Sequence, residues 1–158
     1  MRRVTDIIPS DPSATPPYDS IKLEHSERRL RRKVLRLSGG DEVLIDLPQT
    51  TTLDHTSLLL LDDGRTVSII PAEELLYEIR AKDPTHLIRL GWHIGNRHTP
   101  AQLEETRILI QRDHVLKTML EGLGATVTNV SEPFFAEHGA YHSHAHADAG
   151  HALLAKRS

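Results

Sequence analysis

The apolar residues of this chain change their spacing at Pro71, and a chain with that break must fold as two differently built parts. Before it the apolar runs are short and strand-like. Residues 31–37 (RRKVLRL) and 42–47 (EVLIDL) flank Ser38-Gly39-Gly40-Asp41, whose glycines permit the positive φ of a hairpin turn. Residues 57–61 and 65–70 flank Asp62-Asp63-Gly64, a second signal of the same kind. Residues 3–8 read as a first strand, and residues 9–19, with four prolines, as a loop. No helical period interrupts residues 1–72, so this half is expected to be a small all-β domain.

After Pro71 two helical periods appear. Residues 75–81 (LLYEIRA) suit a strand. Asp83-Pro84 then offers a helix N-cap with proline at the first helical position. Leu87, Leu90, Gly91 and Ile94 mark one helical face, and Gly95 and Asn96 can end it. Residues 99–105 and 107–112 read as two more strands. Asp113 caps a second helix with Leu116, Met119, Leu120 and Leu123 on one face and Gly124 at its end, and residues 125–130 form a last strand. The order is β-α-β-β-α-β, a ferredoxin-like split βαβ unit. The expected fold is α+β, with an all-β domain over residues 1–73, a ferredoxin-like domain over 74–135 and a disordered histidine-rich tail over 136–158.

That tail is the strongest compositional signal. Five of eleven histidines (His138, His142, His144, His146 and His151) lie within residues 137–151, where even scatter would place about one. Imidazole binds nickel, zinc and copper(II). With no cysteine in the chain, thiolate sites, disulfides and cysteine nucleophiles are all excluded. From residue types alone the tail reads either as a solvated segment or as a metal-gathering one.

Two further places could hold metal. His98, in WHIGNRHTP (residues 92–100), falls just past a helix end. It is either a plain surface histidine or a ligand completed by its copy across a two-fold axis. His86 and His93 are seven residues apart, separated by about 10 Å along a helix, and cannot chelate one ion together. Asp113 and His114 open the second helix: either His114 is a metal-binding imidazole there, or Asp113 merely caps the helix and His114 is a solvated first-turn residue.

ERRLRRK (residues 27–33) carries four arginines and a lysine. As a strand it would place Arg29, Arg31 and Lys33 on one face and Arg28, Leu30 and Arg32 on the other. No aromatics interleave to stack on bases, so a solvated basic strand or a dock for an acidic protein is expected, and no nucleic acid. A net charge of −3 implies no general polyanion affinity. The densest apolar stretch, SLLLLDDG, is too short to cross a bilayer, and residues 1–12 do not read as a signal peptide. No membrane association is expected, and a cytoplasmic location is. GxGxxG, P-loop, HExxH and GxSxG motifs are absent from the sequence.

Together these pieces resemble the UreE family of urease accessory proteins, nickel metallochaperones. WHIGNRHTP resembles the family's aromatic-His-aliphatic-GlyAsnArgHis pattern. Asp113-His114-Val115-Leu116 with Met119-Leu120 and Leu123-Gly124 is similar to its DHVL…ML…LG helix. Pro133-Phe134, Glu137 and Gly139-Ala140-Tyr141 are similar to its PF…E.GAY segment. ERRLRRK, Asp46-Leu47-Pro48 and LDDGR (residues 61–65) resemble family strands and turns. The resemblance spans nearly the whole chain.

The resemblance implies that His98 is the principal nickel ligand, supplied by both chains of a homodimer. It implies that His114 and Asp113 lie where some members place an additional site, although Arg112 stands where those members have histidine. It also implies a peptide-binding-like N-terminal domain, and delivery of Ni(II) toward the urease apoprotein through the urease accessory GTPase. Zn(II) or Cu(II) would bind in vitro. Thr56-Ser57 and Phe135-Ala136 depart from commoner family residues, away from His98. The expected function is therefore a nickel carrier for urease assembly and not an enzyme. A small metal-dependent hydrolase using His98 and Asp113, a general metal-storage protein and an RNA-binding domain are the alternatives.

Overall fold

The computed structural model describes residues 1–137, which form two compact units, Met1–Pro71 and Ala72–Glu137. The first holds β1 (Arg2–Pro9), β2 (Asp19–Leu23), β3 (Arg29–Arg36), β4 (Glu42–Thr52), β5 (Ser57–Leu61) and β6 (Thr66–Pro71). They make a mixed sheet in the order β2-β6-β5-β1-β4-β3. Branched aliphatic residues close its core, with Val43, Ile45, Leu59 and Val67 fully buried. Gly40 and Gly64 take the positive φ that the β3–β4 and β5–β6 turns require.

The structure corrects three local expectations. The loop expected over residues 9–19 ends at β2, a strand not expected from the sequence. Its five residues alternate only once or twice directly after a proline-rich stretch, and parallel pairing with β6 stabilises it. Arg28 is not a strand residue. It is the one buried residue of a 3-10 turn, and its Nη1 donates to the Leu23 carbonyl at 3.5 Å. Finally, β3 and β4 do not pair evenly. Leu30 faces Thr51 and Arg32 faces Asp46, so β4 loops out by several residues around Pro48, which has no N–H to give a ladder.

The second unit holds β7 (Glu73–Arg80), α1 (Pro84–Asn96), β8 (Ala101–Leu103), β9 (Ile108–Gln111), α2 (His114–Gly122) and β10 (Thr126–Pro133). The sheet order is β10-β7-β9-β8 with every neighbouring pair antiparallel, so β9 lies between β7 and β8. The β-α-β-β-α-β succession read from the sequence is present. Strand β8 is shorter than expected because the Glu104 amide turns back to the Arg107 carbonyl. The Asp83 carboxylate accepts from the His86 amide at 2.7 Å and Pro84 opens α1. On one sheet face Leu90, Ile94, Leu116 and Leu120 pack against Tyr77, Ile79, Ile108 and Ile110. On the other, Leu76 and Leu109 are covered by Phe134, which is fully buried.

That second face also carries a charge network centred on Arg107. Its guanidinium donates to both Glu132 oxygens (2.8 Å each), to Glu78 (2.9 Å) and to Glu104 (3.0 Å), so one side chain ties β7, β9 and β10 together. Bonding to Arg80 and then to Arg107 holds the Glu78 carboxyl below its usual range, and Arg107 does the same for Glu132. Among the described residues no helix is long and apolar enough to cross a membrane. Of the expected tail, residues 138–158, with His138, His142, His144, His146 and His151, lie outside the described residues.

Carboxylates with depressed pKa add stability above the ordinary carboxylate range and lose it as pH falls through the depressed values. Arg107→Met should therefore lower stability at neutral pH, and its deficit against the parent should shrink as pH falls below that range. Urea unfolding followed from pH 7 to about pH 3 checks this. A deficit constant across that span would show that the network contributes packing alone.

Candidate metal site

His98 owes its position to how α1 ends. The Arg97 amide donates to Ile94 and the His98 amide to Gly95 (3.0 Å), after which the chain turns left-handed at His98, with φ 56°. This is the helix-terminating slot that glycine fills most easily, because a side chain there crowds its own carbonyl, at a cost of roughly 1 kcal/mol. Among the described residues His98 is the one non-glycine with positive φ. Its side chain is exposed.

Leading to it is an apolar outer face on α1. Ile88 is 73% exposed and Trp92, one turn on, is 65% exposed, with the His93 ring edge-on to the indole at 5.1 Å. Gly95 continues the same face and has open space beyond it. This face was missed in the sequence because the buried period of α1 stands out there, although the i, i+4 spacing of Ile88 and Trp92 marks it.

The other histidines and the acidic candidate divide by what they already bond. The Lys82 amide donates to His86 Nδ1 (3.0 Å), which leaves the proton on Nε2, and Nε2–H donates to the Leu123 carbonyl (2.8 Å). His86 therefore joins the start of α1 to the end of α2 and has no nitrogen left for a metal. Asp113 acts as the cap of α2, with Oδ1 accepting from the amides of Val115 (2.9 Å) and Leu116 (3.1 Å). His114 is exposed in the first turn. Arg112 donates to the carbonyls of Leu76 (3.2 Å) and Val130 (3.3 Å), a structural bridge at the end of β9.

The last described residues run along β8, the strand that follows His98. Phe134 is buried, the Phe135 amide donates to Gln102 Oε1 (2.9 Å) and the Glu137 amide to the Ala101 carbonyl (2.8 Å). As residue number rises along this segment its partners step back along β8 toward residue 98. No three histidine, aspartate or glutamate side chains converge as a metal-holding group among the described residues.

Fold and site together define a two-unit α+β protein whose candidate ligand stands exposed at a helix end, beside an apolar helix face, the layout of a binding protein. The chain belongs to the UreE family of urease accessory proteins, a designation of an accessory and not a catalytic role. Residues 4–71 match the N-terminal domain of that family and residues 74–156 its C-terminal domain. The chain is 50% identical over 154 residues to the urease accessory protein UreE of Rhizobium leguminosarum bv. trifolii, covering 96% of this chain and 80% of that protein. It is 52% identical to the same-named protein of Brucella anthropi, covering 91% and 87%. Against that of Rhizobium meliloti identity is 49%, over 92% and 95%.

Backbone geometry separates two histidines. His98→Gly should raise stability by about 0.5–1 kcal/mol, since glycine accepts the left-handed turn. His86→Ala should lower it by about 1–3 kcal/mol by stripping partners from a backbone amide and carbonyl. Chemical denaturation of both variants reads the signs, and a stabilised His86→Ala would overturn the structural role assigned to that residue.

Proposed function

We propose that this protein is a homodimeric nickel metallochaperone that carries Ni(II) for assembly of the urease active site. In this reading the sequence-defined span 74–135, which lies within the Ala72–Glu137 unit, is a ferredoxin-like metal-binding and dimerisation domain. Residues 1–73 form a peptide-binding-like domain, and residues 136–158 a histidine-rich tail. The observation that carries the reading is His98 itself: an exposed imidazole in a slot better suited to glycine, at the end of an exposed apolar helix face.

One imidazole per chain is too few for a resident catalytic metal but suits a carrier. Ile88 and Trp92 supply an apolar face for a second copy, and a two-fold axis through it would bring two His98 rings together. Glu137, the residue before the histidine-rich segment, is bonded to Ala101, three positions after His98. His138, His142, His144, His146 and His151 can then complete an exchangeable shell of nitrogen donors. Such a shell holds nickel and still allows its release.

His114 and Asp113 serve as a weaker accessory pair, because Asp113 Oδ1 is engaged in capping and Arg112 replaces a third donor. Delivery proceeds in the cytoplasm to the urease apoprotein through the urease accessory GTPase. Cu(II), which outranks Ni(II) at nitrogen donors, and Zn(II) bind in vitro, so metal supply and partners set selectivity in the cell.

Calorimetric nickel titration of three full dimeric preparations tests this: the parent, His98→Ala, and a chain ending at Tyr141. The expected result is one tight ion per dimer in the parent, loss of that site in His98→Ala, and lower capacity with modestly lower affinity in the shortened chain. Tight binding unchanged in His98→Ala would reject the interface site. Loss of all tight binding in the shortened chain would move the site into the tail. Trp92→Asp should convert dimer to monomer in sedimentation analysis, and a persistent dimer would reject the α1 face as the contact.

A further inference from the structure

Strand β3 is the terminal strand of its sheet, with β4 on one side and, among the described residues, no strand on the other. Its eight residues, RLRRKVLR, hold four arginines and one lysine and no acid, within a chain whose net charge is −3. Arg31, Arg32, Lys33 and Val34 are exposed in succession, so both faces of the strand reach solvent there. Arg31 sits opposite the excursion of β4 around Pro48, where the register gives it no cross-strand neighbour. Lys33 lies across from Ile45, and Arg36 across from Glu42. Arg32 pairs with Asp46 at 3.0 Å, although its side chain remains 62% exposed.

A single lysine is enough to discourage edge-to-edge pairing of identical sheets. Five cations on one strand do more, because they select the sign of whatever strand could pair there. A second copy of this chain would set cation against cation, which excludes it. Nucleic acid would need stacking surfaces, and β3 carries no aromatic residue.

From this juxtaposition we propose that the β3 edge docks an acidic, extended segment of a partner protein, which adds to the sheet as a further strand. Main-chain bonds along the edge supply the pairing. Carboxylates at alternate positions of the segment meet Arg31 and Lys33 on one face. On the other, Arg32 stays paired with Asp46 and the half-exposed Val34 takes an apolar side chain. The site lies in the Met1–Pro71 unit and does not depend on metal binding by His98.

The test uses the full-length protein and a short fluorescein-labelled peptide of alternating glutamate and valine, read by anisotropy. Two controls carry the discrimination: the same peptide with proline at its central valine, which keeps the charge and forbids strand pairing, and an oligothymidylate. The expected result is saturable binding of the alternating peptide, weakened at least about tenfold by the proline, by about 0.5 M salt, and by R31E/K33E in the protein. Equal binding of the proline peptide would reduce the edge to a nonspecific charged surface and overturn the proposal. Tighter binding of the oligothymidylate, or no binding of the alternating peptide at low salt, would overturn it as well. A circular dichroism spectrum of R31E/K33E matching the parent establishes that any loss is not unfolding.

Discussion

Two helices cover only one face of the four-stranded sheet in residues 72–137, and most other features of that unit answer this imbalance. A bare apolar face would leave Leu76 and Leu109 in water. The chain closes it by returning after β10 and burying Phe134 against both. Around that aromatic plug the rest of the face is polar but internally matched, with Arg107 spanning carboxylates from three parts of the sheet. Covering this face also decides where the chain goes next. Once Phe134 is fixed, Glu137 is held to Ala101, on a strand that begins only a few positions after His98.

At His98 the geometry sets local stability against exposure. A glycine would end α1 with less strain, yet the slot holds an imidazole that is open to solvent. Trp92 and Ile88 show the same opposition on a larger scale, since exposed aromatic and branched surface is costly unless something covers it. Both features lie on one helix, and both make sense if that helix completes itself against another molecule.

Much of this architecture was legible in the sequence. Gly39-Gly40 and Asp63-Gly64 announced the hairpins, Asp83-Pro84 and Asp113 announced both helix starts, and the spacing of Leu90, Ile94, Leu116 and Leu120 marked the buried faces. Those signals are local, and local signals are what a sequence displays. β2 was missed because it is held by a parallel partner distant in sequence. Arg28 was misplaced because a 3-10 turn leaves no period. The outer face of α1 is masked in the sequence by the stronger buried period of Leu90 and Ile94. The left-handed turn at His98 and the direction of the chain at Glu137 depend on three-dimensional bonding that no spacing encodes. The histidine count marks the tail and the resemblance marks His98; what the structure adds is the left-handed turn at that residue.

The two backbone bonds of His86 have a further meaning in a protein so rich in imidazole. A histidine that helped hold the helices together through one nitrogen alone would be open to capture by the very ion the molecule is proposed to carry, and loading would then strain the scaffold. With Nδ1 and Nε2 both occupied by main-chain groups, His86 is chemically silent toward metal. Under the proposed function the scaffold is thereby insulated from its cargo, so that filling and emptying the site would not disturb the fold that presents it.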